Sequence, residues 1–136
     1  MPRGTRIRFQ NAWYHIMNRG AARQPVFKSE VHYELFLEIM AEVSAVHGIE
    51  FHSYCLMGNH FHLLVRTPED GLSEGMRDLI GLYTRKFNKM EKRDGPLFRG
   101  RYKSIVIDAD SYLVELSRYI HNNPIKAKIV SMPESV

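Results

Sequence analysis

Apolar positions along the chain recur in two periods. Residues 12 to 18, AWYHIMN, are rich in aromatic and β-favouring types and stop at Arg19-Gly20, which predicts a first strand. After a loop through Pro25, the residues Leu35, Phe36, Ile39, Met40, Val43 and Val46 fall at helical spacing between Ser29 and His47, with Ser29 as N-cap and Gly48 as the stop. Residues 49 to 57 and 60 to 66 read as two strands joined by a tight turn at Gly58-Asn59, a pair of small, turn-tolerant residues. A second helical pattern follows Gly71 and carries Leu72, Met76, Leu79, Ile80, Tyr83, Phe87 and Met90, with Ser73 as its cap. Gly95-Pro96 and Gly100 break regularity, residues 103 to 107, KSIVI, form a short strand, and Asp108 or Asp110 caps a last helix reaching about Asn122 before Pro124. The order is βαββαβα. With a two-residue hairpin at its centre it predicts an α+β, ferredoxin-like split βαβ: an antiparallel sheet with helices on one face and the other face left for a site.

Length and composition bound this picture without changing it. At 136 residues the chain is expected to be a single domain, 1–136, and it shows no internal repeat or low-complexity linker. Its apolar stretches fall far short of the roughly 20 residues that a membrane span requires. The N-terminal MPRGTRIRFQ has charge but no apolar segment to follow it, so a cytoplasmic protein is expected. The single cysteine, Cys55, on an apolar strand, reads as a small buried hydrophobe.

Charge distribution is more informative. The net charge is +4, and nine of the cations lie between Arg77 and Lys103 against three acids, with Phe87, Phe98 and Tyr102 interleaved. Such a run suits a phosphate backbone with stacking surfaces nearby, while a solvated helix face and loop would look the same.

Chemistry is concentrated in two places. In CLMGNHFHLLV, residues 55 to 65, strand alternation puts His60, His62 and Leu64 on one face and Phe61, Leu63 and Val65 on the other. Imidazoles two residues apart on a strand sit roughly 6 to 7 Å apart at Cα, a workable bite for one metal ion, although two hydrogen-bonded histidines on a half-exposed face fit the spacing as well. In SRYIHNNP, Tyr119 and Asn123 lie four residues apart and share a helix face, whereas His121 points away from it. Tyr119 also adjoins the apolar stripe of Leu113, Leu116 and Ile120, as a core or edge aromatic would.

Taken together, MGNHFHLL, RYIHNNP, GPLFRGRYKS and AWYHIMNRG, all in one short domain, resemble the single-tyrosine HUH transposases and, within them, the REP-associated tyrosine transposase branch. The resemblance runs from about Trp13 to about Val130, and Phe61 meets the family's requirement for a bulky hydrophobe between the histidines. It implies that His60 and His62 bind a divalent ion, Mg²⁺ or Mn²⁺, that Tyr119 on a helix near the open sheet face is the nucleophile, and that Asn123 completes the metal site. The substrate it implies is single-stranded DNA near an imperfect hairpin, cut through a 5′-phosphotyrosine and rejoined. Arg85, Lys86, Arg99, Arg101 and Lys103 are the expected DNA-binding residues, with Arg3, Arg6 and Arg8 as an arm. Tyr83 is the competing tyrosine, but Phe87 stands where an amide partner would be. No membrane partner is expected, and monomer and homodimer both stay open. Two other readings stand beside this one: a non-catalytic module that stacks single-stranded nucleic acid, and a metal hydrolase that uses activated water.

Overall fold

The computed structural model describes residues 12–107 and 128–131. In chain order these form β1 (Ala12–Arg19), α1 (Glu30–His47), β2 (Glu50–Met57), β3 (His60–Thr67), α2 (Leu72–Glu91), β4 (Lys103–Ile107) and β5 (Lys128–Ser131), with one 3₁₀ turn at Ala21–Arg23. The sheet order is β4-β1-β3-β2-β5, and every described pairing is antiparallel. The first four strands have the ferredoxin-like order that the sequence predicts. β5 was not predicted; it extends the sheet beyond β2, pairing Val130 with Tyr54 and Lys128 with Leu56. The proposed last helix, and with it Tyr119 and Asn123, lies outside the described residues, as do Arg3, Arg6 and Arg8.

One face of the sheet carries the core. Tyr14 and Ile16 of β1 and Phe61, Leu63 and Val65 of β3 are buried together with Phe36, Ile39, Met40 and Val43 of α1 and Met76, Leu79, Tyr83 and Phe87 of α2. Both helices therefore pack on the same side, as the alternation of β3 requires. In β2 the alternation is interrupted: the register with β3 shifts between Phe51 and Ser53, so Phe51, Tyr54 and Leu56 all face the helices while Cys55 turns to the opposite face. A bulge of this kind admits one extra residue and reverses the parity beyond it. Cys55 is buried, as expected, and burial raises its thiol above the ordinary range.

Two details of the helices differ from expectation. Ser73 lies inside α2, and the N-cap is Gly71, where a Cβ would come within 2.8 Å of the His47 carbonyl oxygen. Close approach of the α1 terminus, not side-chain capping, selects the residue there. Val46 is solvent-exposed, and the inward stripe of α1 continues instead through half-buried His47, whose Nε2 meets Asp78 Oδ2 at 2.7 Å. Gly48 does end α1 in the left-handed conformation.

The β2–β3 turn is fixed from outside. Neither Gly58 nor Asn59 takes a positive φ. The Gly58 carbonyl instead accepts from the Val26 and Phe27 amides at 2.8 and 3.0 Å, and the Asn59 carbonyl from the Gly20 amide at 2.8 Å. Tyr83 closes this arrangement from beneath, its hydroxyl donating to the Val26 carbonyl at 2.5 Å. The turn that introduces His60 is thereby tied to the core.

Candidate functional site

The sheet face away from the helices gathers the polar residues. By register, His60 stands opposite Arg19 on β1 and Met57 on β2; His62 stands opposite Met17 and Cys55; Met17 in turn stands opposite Lys103 on β4. His60 and His62 share this face, their ring centroids 5.2 Å apart and the rings nearly perpendicular. His60 is partly exposed and His62 is buried.

Both imidazoles are held through Nδ1. His60 Nδ1 lies 2.8 Å from the Asn59 side-chain oxygen, to which only a protonated Nδ1 can donate, and His62 Nδ1 lies 2.9 Å from Nε2 of His15. His15 comes from β1, where it is Cα-paired with Leu64 and reaches His62 diagonally, its ring stacked at 5.1 Å. All three imidazoles are biased toward the neutral state. Burial lowers the pKa of His15; burial and the Arg19 charge lower that of His60; burial, with His15 and His60 adding to it, depresses His62 to about 4.

The loop after α2 brings cations to the same place. Leu97 and Phe98 are buried anchors, the Ala21 amide donates to the Leu97 carbonyl at 2.9 Å, and the Arg99 amide donates to the Arg19 carbonyl at 2.8 Å. Gly100 takes φ 64°, a left-handed turn between Arg99 and Arg101 that a side chain would resist. Its carbonyl accepts from the Asn18 side-chain Nδ2 at 3.4 Å. The result is a pocket of about 690 Å³ on which His60, His62, Arg19, Arg23, Arg99, Arg101 and Lys103 open. Among the described residues no carboxylate lines it. The two imidazoles and five cations make a basic pocket whose charge favours anions.

The structure thus brings His60 and His62 together with Arg99, Arg101 and Lys103, and separates them from Arg85 and Lys86. Those two lie on α2; Arg85 borders a different depression, of about 360 Å³, with Glu42, His47 and Asp78, and Lys86 borders neither. Tyr83 is a core residue, fully buried, its phenol pushed well above the ordinary range mainly by burial. Arg19 and Arg23, which line the pocket, and His15, which touches His62, are candidates that the sequence does not single out. For His15 the signal is present, since alternation along AWYHIMNRG puts it on the face opposite Tyr14 and Ile16; Arg19 shows in the sequence only as the end of a strand.

The histidine pair fits a divalent cation as part of its donor set. An Nδ1 contact to a side-chain oxygen, as at His60, is the kind of support that leaves Nε2 free to coordinate, and neutral rings are the coordinating form. Among the described residues no three His, Cys, Asp or Glu side chains are placed to hold one metal ion together, so the pair alone is not a closed metal cage. No helix among the described residues is long and apolar enough to cross a membrane.

A ferredoxin-like sheet with a His-Phe-His strand and a cationic rim defines an α+β domain with a basic pocket on its open face, and comparison with known proteins gives the family. The family model for IS200-like transposases matches residues 8–123, and the chain belongs to that family. Among solved structures, a REP-associated tyrosine transposase bound to a REP hairpin superposes with TM-score 0.71 at 17% identity, over 93% of this chain and 74% of the other. A Deinococcus radiodurans protein described as a transposase superposes with TM-score 0.59 at 20% identity, over 90% of this chain and 95% of the other. These likenesses confirm the fold. No curated protein matches the chain by sequence.

Proposed function

We propose that the protein is a metal-dependent transposase or endonuclease that cuts single-stranded DNA near hairpins through a 5′-phosphotyrosine and rejoins the strands. The observation that carries this reading is the convergence of the His60–His62 pair and five cations on one pocket at the open face of the sheet, in a chain of this family. The hairpin-bound structure of a similar fold supports hairpin DNA as the substrate.

Each residue has a physical task. Arg99, Arg101, Lys103, Arg19 and Arg23 hold the strand by its phosphates, the part of recognition that positions without reading sequence. His60 and His62, neutral and oriented through Nδ1, present nitrogen donors, and the Asn123 side-chain oxygen adds a third. A bound Mg²⁺ or Mn²⁺ supplies Lewis-acid polarisation of the scissile phosphate. The Tyr119 hydroxyl gives up its proton and attacks phosphorus; the bond to the 3′ oxygen breaks, and that oxygen takes a proton to become a 3′-hydroxyl. One phosphodiester replaces another, so a 3′-hydroxyl can reverse the step and join strands without a nucleotide triphosphate. Tyr83 cannot share the task, because its hydroxyl is spent on the Val26 carbonyl inside the core.

The test is cleavage of end-labelled hairpin DNA with Mn²⁺ or with EDTA. Metal-dependent cutting that leaves a 3′-hydroxyl end and a 5′ end blocked by protein agrees with the proposal. Ends that carry a free 5′-phosphate would point to hydrolysis by activated water, and tight binding without cutting to a non-catalytic module.

A further inference from the structure

We propose that His15 is a positioning residue: its Nε2 accepts the proton on Nδ1 of His62, fixing the tautomer in which Nε2 of His62 is the nitrogen offered to a divalent cation. The inference rests on the reading of His62 as a metal donor, and it adds a residue and a role to it.

The sense of the bond is set by the reading of His62 as a metal donor. His62 Nδ1 and His15 Nε2 are 2.9 Å apart and both side chains are buried, so the contact is a hydrogen bond protected from water. Two neutral imidazoles can share one proton in two senses. If His15 donated, His62 would carry its proton on Nε2 and would have no lone pair there; if His62 donates, its Nε2 lone pair is available for coordination. His60 reaches the same state by another route, since the Asn59 side-chain oxygen can only accept from its Nδ1. Both rings of the His-Phe-His strand then present the same nitrogen. Packing supports the arrangement: the His15 and His62 rings are stacked, and β1 and β3 are paired along eight consecutive residues, which leaves His15 little freedom to turn away. A backbone carbonyl or carboxylate plays this part in many metal sites; here a buried imidazole does.

Two variants of the full chain test the assignment. His15→Gln keeps an acceptor near the position of Nε2, and His15→Leu removes it. Ring-nitrogen NMR of the metal-free protein is expected to show His62 protonated at Nδ1 in the unaltered chain and in His15→Gln, and shifted toward Nε2 protonation in His15→Leu. Titration with Mn²⁺ alone, without DNA, is expected to weaken by about 10- to 100-fold in His15→Leu and to stay within about threefold in His15→Gln. His62 protonated at Nε2 in the unaltered chain, or an unchanged tautomer and affinity in a folded His15→Leu protein, would overturn the proposal. Absence of Mn²⁺ binding by the unaltered chain, with Nδ1 protonation observed, would instead overturn the metal reading of the site and leave the hydrogen bond as a structural one.

Discussion

Salt dependence separates the two groups of cations that the sequence presents as one run. Five cations open on the histidine pocket, and Arg85 and Lys86 do not. For single-stranded nucleic acid, each phosphate contact contributes about −0.7 to the slope of log affinity against log salt, so five contacts give about −3.5. Replacing Arg99, Arg101 and Lys103 by Gln leaves two of these and flattens the slope by about 2. Between 50 and 200 mM salt the unaltered site should lose roughly 100-fold in affinity, whereas the triple variant should lose only about sevenfold through the remaining contacts. Cations elsewhere in the chain add the same increment to every variant, so the difference between slopes is the diagnostic quantity. The assay is fluorescence anisotropy with a labelled hairpin oligonucleotide bearing a single-stranded flank, titrated at several salt concentrations in EDTA. The Arg85→Gln, Lys86→Gln double variant should keep the slope of the unaltered chain. An equal flattening in both variants, or none in the triple variant, would refute the placement of the phosphate path.

Other outcomes follow from the packing. Tyr83→Phe leaves the buried Val26 carbonyl without its donor and should cost about 1–3 kcal/mol in urea unfolding, while the folded variant still forms covalent protein–DNA product; loss of that product with stability intact would make Tyr83 chemical. Gly75→Ala puts a Cβ within 2.2 Å of Ile49 Cδ1 and 3.2 Å of Val43 Cγ1, so overpacking of about 1–3 kcal/mol should outweigh the gain of about 1 kcal/mol in helix propensity and lower Tm by calorimetry. His62 titrates near 6.5 when unfolded and at about 4 when folded. Below pH 6.5 the unfolded chain therefore binds the extra proton, and metal-free stability should fall by about 3 kcal/mol as pH drops from 6.5 to about 4, with no contribution from this group above 6.5. Denaturant midpoints across that window check it; a flat profile would contradict the buried, neutral imidazole.

Much of the fold was legible because its signals are local. Each of the first four strands and both described helices appears as a period in the apolar residues, and the Gly58-Asn59 turn fixes which two strands are neighbours. What was not legible depends on contacts between distant segments. The parity of β2 reverses at a bulge that only its register with β3 reveals. β5 is four residues long, begins at Lys128, and becomes a strand because β2 offers an edge. Ser73 has the chemistry of a cap, but the approach of the His47 carbonyl makes Gly71 the residue that fits. The site divides in the same way. His60 and His62 announce themselves by spacing, and Arg99, Arg101 and Lys103 by charge. The alternation of β1 shows which face His15 takes, but its meeting with His62, like that of Arg19 with His60, comes from the register of β1 on β3. Arg85 and Lys86 belong to the same basic run, but α2 turns them away from the histidines.

The most direct test of the central claim is to locate the DNA on the protein. After reaction with hairpin DNA and Mn²⁺, nuclease and protease digestion followed by mass spectrometry should find the nucleotide adduct on the peptide that contains Tyr119, and none with His60→Ala protein. An adduct on another tyrosine, or DNA cut with no adduct on any peptide, would contradict the account.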